Sequence, residues 1–300
     1  MTNKTLTSIA GLSVGHWTHQ EAATGCTVVL CPPEGCVASG SVLGGAPGSR
    51  ETALLAPEKT VQRVHAVVLA GGSAFGLDAA SGVMRWLAEQ GRGFETPFAR
   101  VPIVPAAVIY DLSTGRADVR PDAAAGYAAA QGATAAPVAS GRVGVGMGAT
   151  VGKYVGFDHA ARSGLGSSVI AVGGATIAAL AVSNAVGDIV DPDTGRRVAG
   201  SSAATSFLEV AGTGLDGTNT TLVVVATDAA LTKAQAYALS HSAHVGIARV
   251  TRPSHTPSDG DTAFVLSTAT GTEVPLFTLA VAVQEVVAAA ILNGVRAAQD

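Results

Sequence analysis

Apolar residues in this chain fall into short β-branched runs separated by glycine and small polar residues. Runs at 26–30, 66–70, 168–172, 178–182, 221–226 and 262–266 are continuous rather than alternating, the pattern of strands buried on both faces. Helical patterns interleave with them. The stretch 73–90 follows a strand across Gly71-Gly72 and stops at Gly91, a suitable C-terminal glycine. Thr232-Lys-Ala-Gln235 fits a capping box opening a helix towards His244. The segment 277–298 carries Leu279, Val283, Val287 and Ile291 at helical spacing. Strands and helices mixed in this way predict a layered α/β architecture with both sheet faces covered.

Composition sharpens that picture. Charged residues are 13% and apolar ones 48% of the 300 residues, which excludes disorder. The net charge is −4 and no Lys/Arg cluster occurs, so nucleic acid is not an expected partner. So few charges favour a surface partly covered in a homo-oligomer. A mean hydropathy of +0.38 raises the question of a membrane. The longest uncharged stretch, 163–187, is long enough to span one but is broken by Gly164, Gly166, Gly173, Gly174 and Asn184, and reads as two strands with turns. No signal-peptide pattern opens the chain, so a cytoplasmic protein without membrane contact is expected. Cys26, Cys31 and Cys36 are five apart, a spacing that alternates faces on a strand, and are expected as separate, reduced, buried thiols without a metal role.

Most motifs fail on spacing. The run Gly144-Val-Gly-Met-Gly-Ala-Thr-Val-Gly-Lys153 has Met147 where a phosphate loop needs glycine, and Tyr154 where it needs Ser or Thr. Its glycines point instead to closely packed backbone, with Lys153 either partly buried with a lowered pKa or snorkelling to the surface. No Gly-x-Ser-x-Gly elbow exists. His16-x-x-His19 and His241-x-x-His244 lack a Glu or Cys partner nearby, and Asp188, Asp191 and Asp193 sit in turn chemistry rather than a calcium loop. No metal or cofactor is expected.

Two segments retain chemistry. Gly212-Thr-Gly-Leu-Asp-Gly-Thr-Asn219-Thr220-Thr221 reads as a flexible loop running into a buried strand. A threonine there becomes an N-terminal nucleophile if the chain is cut before it, its new α-amine titrating near neutrality and serving as base. Otherwise the segment is a Gly/Asn turn. In His255-Thr-Pro-Ser-Asp259-Gly-Asp261 two carboxylates straddle a glycine, either facing one site or forming a hairpin turn.

Several longer motifs, in order, resemble the self-processing N-terminal-nucleophile hydrolases that include L-aminopeptidase/D-esterase, the β-peptidyl aminopeptidases and the nylon-oligomer (6-aminohexanoate oligomer) hydrolase. They are Ser8-Ile-Ala-Gly-Leu-Ser-Val-Gly-His16, Gly44-Gly-Ala-Pro-Gly-Ser-Arg-Glu-Thr52, Val67-Val-Leu-Ala-Gly-Gly-Ser-Ala-Phe-Gly-Leu77, Ala107-Val-Ile-Tyr-Asp111, the run ending at Lys153, and Asp259-Gly-Asp261. The resemblance implies a four-layer α-β-β-α sandwich: one domain, 1–300, cut between Asn219 and Thr220 into chains 1–219 and 220–300. It implies assembly as a tetramer of processed heterodimers. By motif match, Thr220 is the nucleophile, Lys153 a cation tuning the amine or hydroxyl, and Asn184 an oxyanion donor. Asp259 and Asp261 orient the new N-terminus, and Tyr110 lies near the pocket.

Asn-Thr-Thr with Asp-Gly-Asp is similar to the nylon-oligomer branch, whereas the aminopeptidase branch typically carries serine after glycine. The expected activity is therefore threonine-dependent amide hydrolysis of linear oligoamides or small peptides. The alternatives are an aminopeptidase/D-esterase, an ornithine acetyltransferase-like enzyme cut at Ala149-Thr150, and a non-enzymatic assembly protein that has lost cleavage.

Overall fold

A computed structural model of the chain describes residues 3–203, 205, 207–209 and 217–299. The strands that build its two large sheets are β1 (Ser13–His19), β2 (Thr24–Leu30), β3 (Cys36–Val42), β4 (Ser49–Arg50), β5 (Arg63–Val64), β6 (Ala66–Ala70), β7 (Ala106–Val108), β8 (Leu165–Val172), β9 (Ala175–Asn184), β10 (Thr220–Thr227) and β11 (Thr262–Ser267). One sheet runs β1-β2-β6-β7-β4 and the other β8-β9-β10-β11-β3-β5. Pairing is antiparallel except at β6/β7 and β10/β11. The helices are α1 (Ala79–Glu89), α2 (Ala123–Gln131), α3 (Lys233–Val250) and α4 (Leu276–Ala297).

Alternation along the central strands shows why the runs are apolar throughout. On β9, Ala178, Leu180 and Val182 enter the core between the sheets, where they join Val67, Leu69 and Ala107 of the other sheet. Their neighbours Ile177, Ala179 and Ala181 face the opposite way and pack on Leu239, Ile247, Val283 and Val287 of α3 and α4. On the first sheet Val29 faces inward, while Cys26, Val28 and Leu30 pack with Ala79, Val83, Ala125 and Ala129 of α1 and α2. The order is helix, sheet, sheet, helix, as the family resemblance implies. Strands buried on both faces carry no polar alternation because neither face meets water.

The predicted strands are all present, and 163–187 is largely the β8–β9 hairpin turning at Gly173-Gly174. The α3 capping box forms, with Thr232 Oγ1 accepting from Gln235 N and Thr232 N donating to Gln235 Oε1. By length and composition α4 could cross a membrane, but half of it is buried in the protein. The stretch 73–90 is not one helix. Ser73–Asp78 winds as a tighter 3-10 segment, where a Cβ on Gly76 would meet the Gly71 carbonyl at 1.9 Å, and α1 follows.

Pattern reading missed β1, β3, β7 and α2, and the two-residue strands β4 and β5. β1 mixes Ser, Gly and Thr with two histidines and a tryptophan, β3 is built mostly of small residues, and α2 is two-thirds alanine, its start marked by Asp122 accepting from Ala125 N. The cysteines need a correction. All three thiols are free and buried, but Cys31 lies past the end of β2, so the chain reverses and brings it against Cys36. That contact, with burial, pushes the Cys36 thiol upward.

Candidate active site

Strand register assembles the site. Antiparallel pairing of β9 with β10 sets Asn184 beside Thr220 and Ser183 beside Thr221. Parallel pairing of β10 with β11 starts at Leu222 and Thr262, and a bridge joins Asn219 to Asp259 just before it. Lys153 is tied to the same place because Gly152 N and Lys153 N donate to the carbonyls of Gly187 and Val186, each at 2.9 Å. Gly152 has φ +73, and a Cβ there would meet Ser201 N at 2.1 Å, so the close packing expected of the glycine run is present at this position. The other sheet contributes Tyr110, just beyond β7. Six of the seven predicted residues (Lys153, Asn184, Asn219, Thr220, Asp259 and Asp261) are at most 5% exposed. Tyr110 is less deeply buried and lines a cavity of about 160 Å³ with Thr220, Ala46, Pro47, Gly48 and Val108.

The contacts are specific. Thr220 Oγ1 donates to the carbonyl oxygen of Asn219, and that oxygen also accepts from Gly260 N at 2.7 Å. Lys153 Nζ donates to the carbonyls of Asn184 (2.8 Å) and Thr218 (3.4 Å). Asn184 Nδ2 donates to the carbonyls of Tyr110 (3.0 Å) and Thr218 (3.3 Å), while its Oδ1 accepts from Thr150 N at 3.0 Å. Asp261 Oδ1 accepts from Thr221 N at 2.5 Å. Asp259 Oδ2 accepts from Thr256 N and Oγ1 at 2.9 and 2.6 Å.

The electrostatics follow from burial. Complete burial pulls Lys153 down to about 7, against the opposing charges of Asp259 and Asp111. Burial, with Asp261 next to it, raises Asp259 above the ordinary carboxyl range. Asp111 is also raised by burial, although Gly72 N and Thr24 Oγ1 each donate to it at 2.7 Å.

The loop Gly212–Asn219 lies outside the described residues as far as Asp216. Asp259-Gly-Asp261 is not a hairpin turn but the lead into β11. Pattern reading missed Gly260, whose N–H is the donor on the Asn219 carbonyl. Its signal was being glycine between the two aspartates, since a Cβ there would sit 2.7 Å from Thr220 Oγ1. It also missed Asp111 and the Thr150 backbone N–H that holds Asn184. Among the described residues no group of three or more His, Cys, Asp and Glu side chains is placed to hold a metal ion. A larger cavity of about 340 Å³, lined by Ser41, Tyr237, His241 and Phe264 among others, contains none of the predicted residues.

Comparison with known proteins adds family and fold. The model of peptidase family S58 matches residues 4–300. An uncharacterized aminopeptidase of Mycobacterium tuberculosis is 42% identical over 290 residues, covering 88% of this chain and 81% of that protein. The 6-aminohexanoate-oligomer endohydrolase of Kocuria sp. is 32% identical over 270 residues, covering 86% and 73%. The L-aminopeptidase D-Ala-esterase/amidase of Ochrobactrum anthropi, described as a variant of the N-terminal-nucleophile hydrolase fold, superposes with a TM-score of 0.74 at 21% identity, over 97% of this chain and 85% of that one. A Burkholderia β-aminopeptidase gives 0.70 at 21% identity, over 98% and 86%.

Proposed function

This chain belongs to peptidase family S58 and is an amide-hydrolysing enzyme, and we propose that it cuts itself between Asn219 and Thr220 and then uses Thr220 as its nucleophile. The observation that carries this reading is the Thr220 hydroxyl lying on the carbonyl of its own preceding residue, with Gly260 N donating to the same oxygen.

Thr220 Oγ1 attacks the Asn219 carbonyl carbon, and the Gly260 N–H stabilises the oxyanion. The C–N bond breaks as the Thr220 nitrogen takes up the proton that Oγ1 gave up on attack, leaving an ester between Asn219 and Thr220 Oγ1. Water hydrolyses that ester to the Asn219 carboxylate and a free Thr220 with its own α-amine. In later turnovers the α-amine takes the hydroxyl proton as Oγ1 attacks a substrate amide, passes it to the departing amine as the C–N bond breaks, and water then hydrolyses the acyl ester to a carboxylate and free Oγ1–H. Lys153 holds the Asn184 and Thr218 carbonyls during self-cleavage. Once Thr218 has left, its ammonium and the Asn184 amide face the space vacated, where a substrate oxyanion forms. Asp259 and Asp261 orient the new amine, and Tyr110 forms a wall of the substrate cavity.

Single-domain organisation belongs to the same proposal. Residues 220–300 supply β10 and β11, both inside the six-stranded sheet, together with α3 and α4. A cut before Thr220 therefore leaves the two fragments sharing one core. Exposed Phe98, Leu208 and Phe277 support assembly of processed pairs into a homo-oligomer, which we place in the cytoplasm.

We take the substrates to be small peptides or linear oligoamides. An aminopeptidase reading is favoured by the name of the 42% identical relative. Comparing an oligoamide with its N-acylated form separates the two, because an aminopeptidase requires the free amine. Denaturing intact-mass measurement with N-terminal sequencing tests self-cleavage. Two fragments are expected, the smaller beginning Thr220-Thr221-Leu222. A persistently uncut chain without amidase activity overturns the proposal, and a cut at Thr150 points to the transferase alternative.

A further inference from the structure

A histidine outside the predicted set sits on the second carboxylate. His255 N donates to Asp261 Oδ2 at 3.1 Å, and ring Nδ1 lies 2.7 Å from the same oxygen. The Nδ1–H does not point squarely at that oxygen, so this contact acts through charge more than through an aligned hydrogen bond. On the other side of the ring, Nε2 lies 3.2 Å from the carbonyl oxygen of His244 on α3. Both ring nitrogens thus face oxygens that only accept. A neutral imidazole has one N–H and would turn a lone pair on one of them, whereas the imidazolium carries an N–H and positive charge towards both. The backbone of His255 is held at φ 54, in the left-handed region, a conformation that persists where the surroundings impose it.

The charged and titratable groups around the ring agree. Asp261 and Asp259 come from its own loop. From α3, the His244 ring packs edge-on at 4.9 Å between centroids, and burial pulls it to about 4, so it is neutral. Burial opposes charge on His255, but the contact with Asp261 and the charges of Asp261 and Asp259 outweigh it and raise the ring above the ordinary imidazole range. Lys153 faces Asp259 in the same electrostatic sense.

We infer that His255 is a positioning residue for Thr220: its imidazolium is the countercharge of Asp261, as Lys153 is of Asp259, and it keeps the carboxylate pair ionised around the start of β10. The inference rests on the reading of Thr220 as nucleophile. Through Asp261 Oδ1, which accepts from Thr221 N, the histidine fixes the residue next to the nucleophile. A protonated carboxyl in that place loses its attraction for the Thr221 N–H and for the amine freed on Thr220.

The test compares His255→Asn with His255→Lys. Asparagine is neutral and tolerates the left-handed backbone, while lysine restores a charge that does not titrate near neutrality. Fragment masses, and kcat and KM on a small amide, are followed from about pH 5 to about pH 9, the span in which imidazoles titrate. For His255→Asn the acid limb of kcat is expected to move up by about one to three pH units, with KM nearly unchanged. As pH rises through the raised imidazole range His255 itself loses its charge, and the wild-type and His255→Asn proteins are expected to converge in kcat. His255→Lys is expected to recover most of the lost rate. The Lys153 titration is common to all three proteins and cancels in the comparison.

A folded His255→Asn protein with wild-type kcat and pH profile overturns the inference, as does a folded His255→Lys protein no faster than His255→Asn. Should His255→Asn not fold, NMR titration of the wild-type histidines decides instead. A His255 midpoint above the ordinary value of about 6.5 supports the role, and one at or below it overturns it. Thr220→Ala separates the two levels. If Thr220→Ala still processes and hydrolyses, the nucleophile reading has failed; if it is dead while His255→Asn is normal, only the role of His255 has failed.

Discussion

Two buried lysines differ in what surrounds their ammonium groups. Lys233, at the start of α3, is 4% exposed and donates to three backbone carbonyls, those of Leu54, Lys59 and Val61, at 2.7 to 2.9 Å. All three ammonium hydrogens are therefore spent. Lys153 is fully buried, makes one strong and one long bond to carbonyls, and has two buried carboxylates in its field. Burial lowers both lysines, and pulls Lys153 to about 7. Burial alone marks neither as functional. A titration point near neutrality, with bonds to the Asn184 and Thr218 carbonyls next to the start of β10, is what fits Lys153 to the role proposed for it.

The largest expected effect tests the setting of Lys153. Thr220→Ala should remove self-cleavage and hydrolysis together, leaving a single 29.6 kDa chain by denaturing mass spectrometry; any residual cut before residue 220 breaks the comparison at its root. Next, Lys153→Met should slow both steps by about a hundredfold or more while the protein stays folded, measured by single-turnover processing and by kcat. Lys233→Met should do the opposite. Leaving three carbonyls without their donor should cost about 2–4 kcal/mol of stability, read from urea unfolding, with kcat of the folded enzyme nearly intact. If Lys153→Met loses stability and keeps its rate, the roles of the two lysines are reversed.

The smallest effect is a slope. Between about 7 and the ordinary lysine value of 10.5, the folded protein binds fewer protons at Lys153 than the unfolded chain does. Stability from this residue therefore rises with pH across that window, by at most about 1.4 kcal/mol per pH unit. Below about 7 the penalty of the buried charge is fully present. Lys153→Met should flatten that slope in urea titrations at several pH values, and Lys233→Met should leave it largely in place.

Much of the fold was legible because the central strands are apolar on both faces, as on β9 and β10, and such runs have few alternative places. Elements whose residues are small, such as β3 and α2, carried no comparable pattern, since they are held by what packs on them. Of the site, Thr220, Lys153, Asn184, Asp259 and Asp261 were named by the resemblance of their motifs to a known family, whereas spacing alone left the loop before Thr220 and the Asp-Gly-Asp segment each with a turn reading.

The sequence by itself determined the layered α/β class, the glycines that permit close approach, and the residue types able to hydrolyse an amide. Tertiary structure decided who meets whom. Residues 35 to 40 or more positions apart, such as Asn184, Thr220 and Asp259, become neighbours through strand register. Gly260 and His255 acquire meaning only from the oxygens they face. Hydrogen-bond direction and burial are properties of that three-dimensional arrangement, and chain order does not carry them.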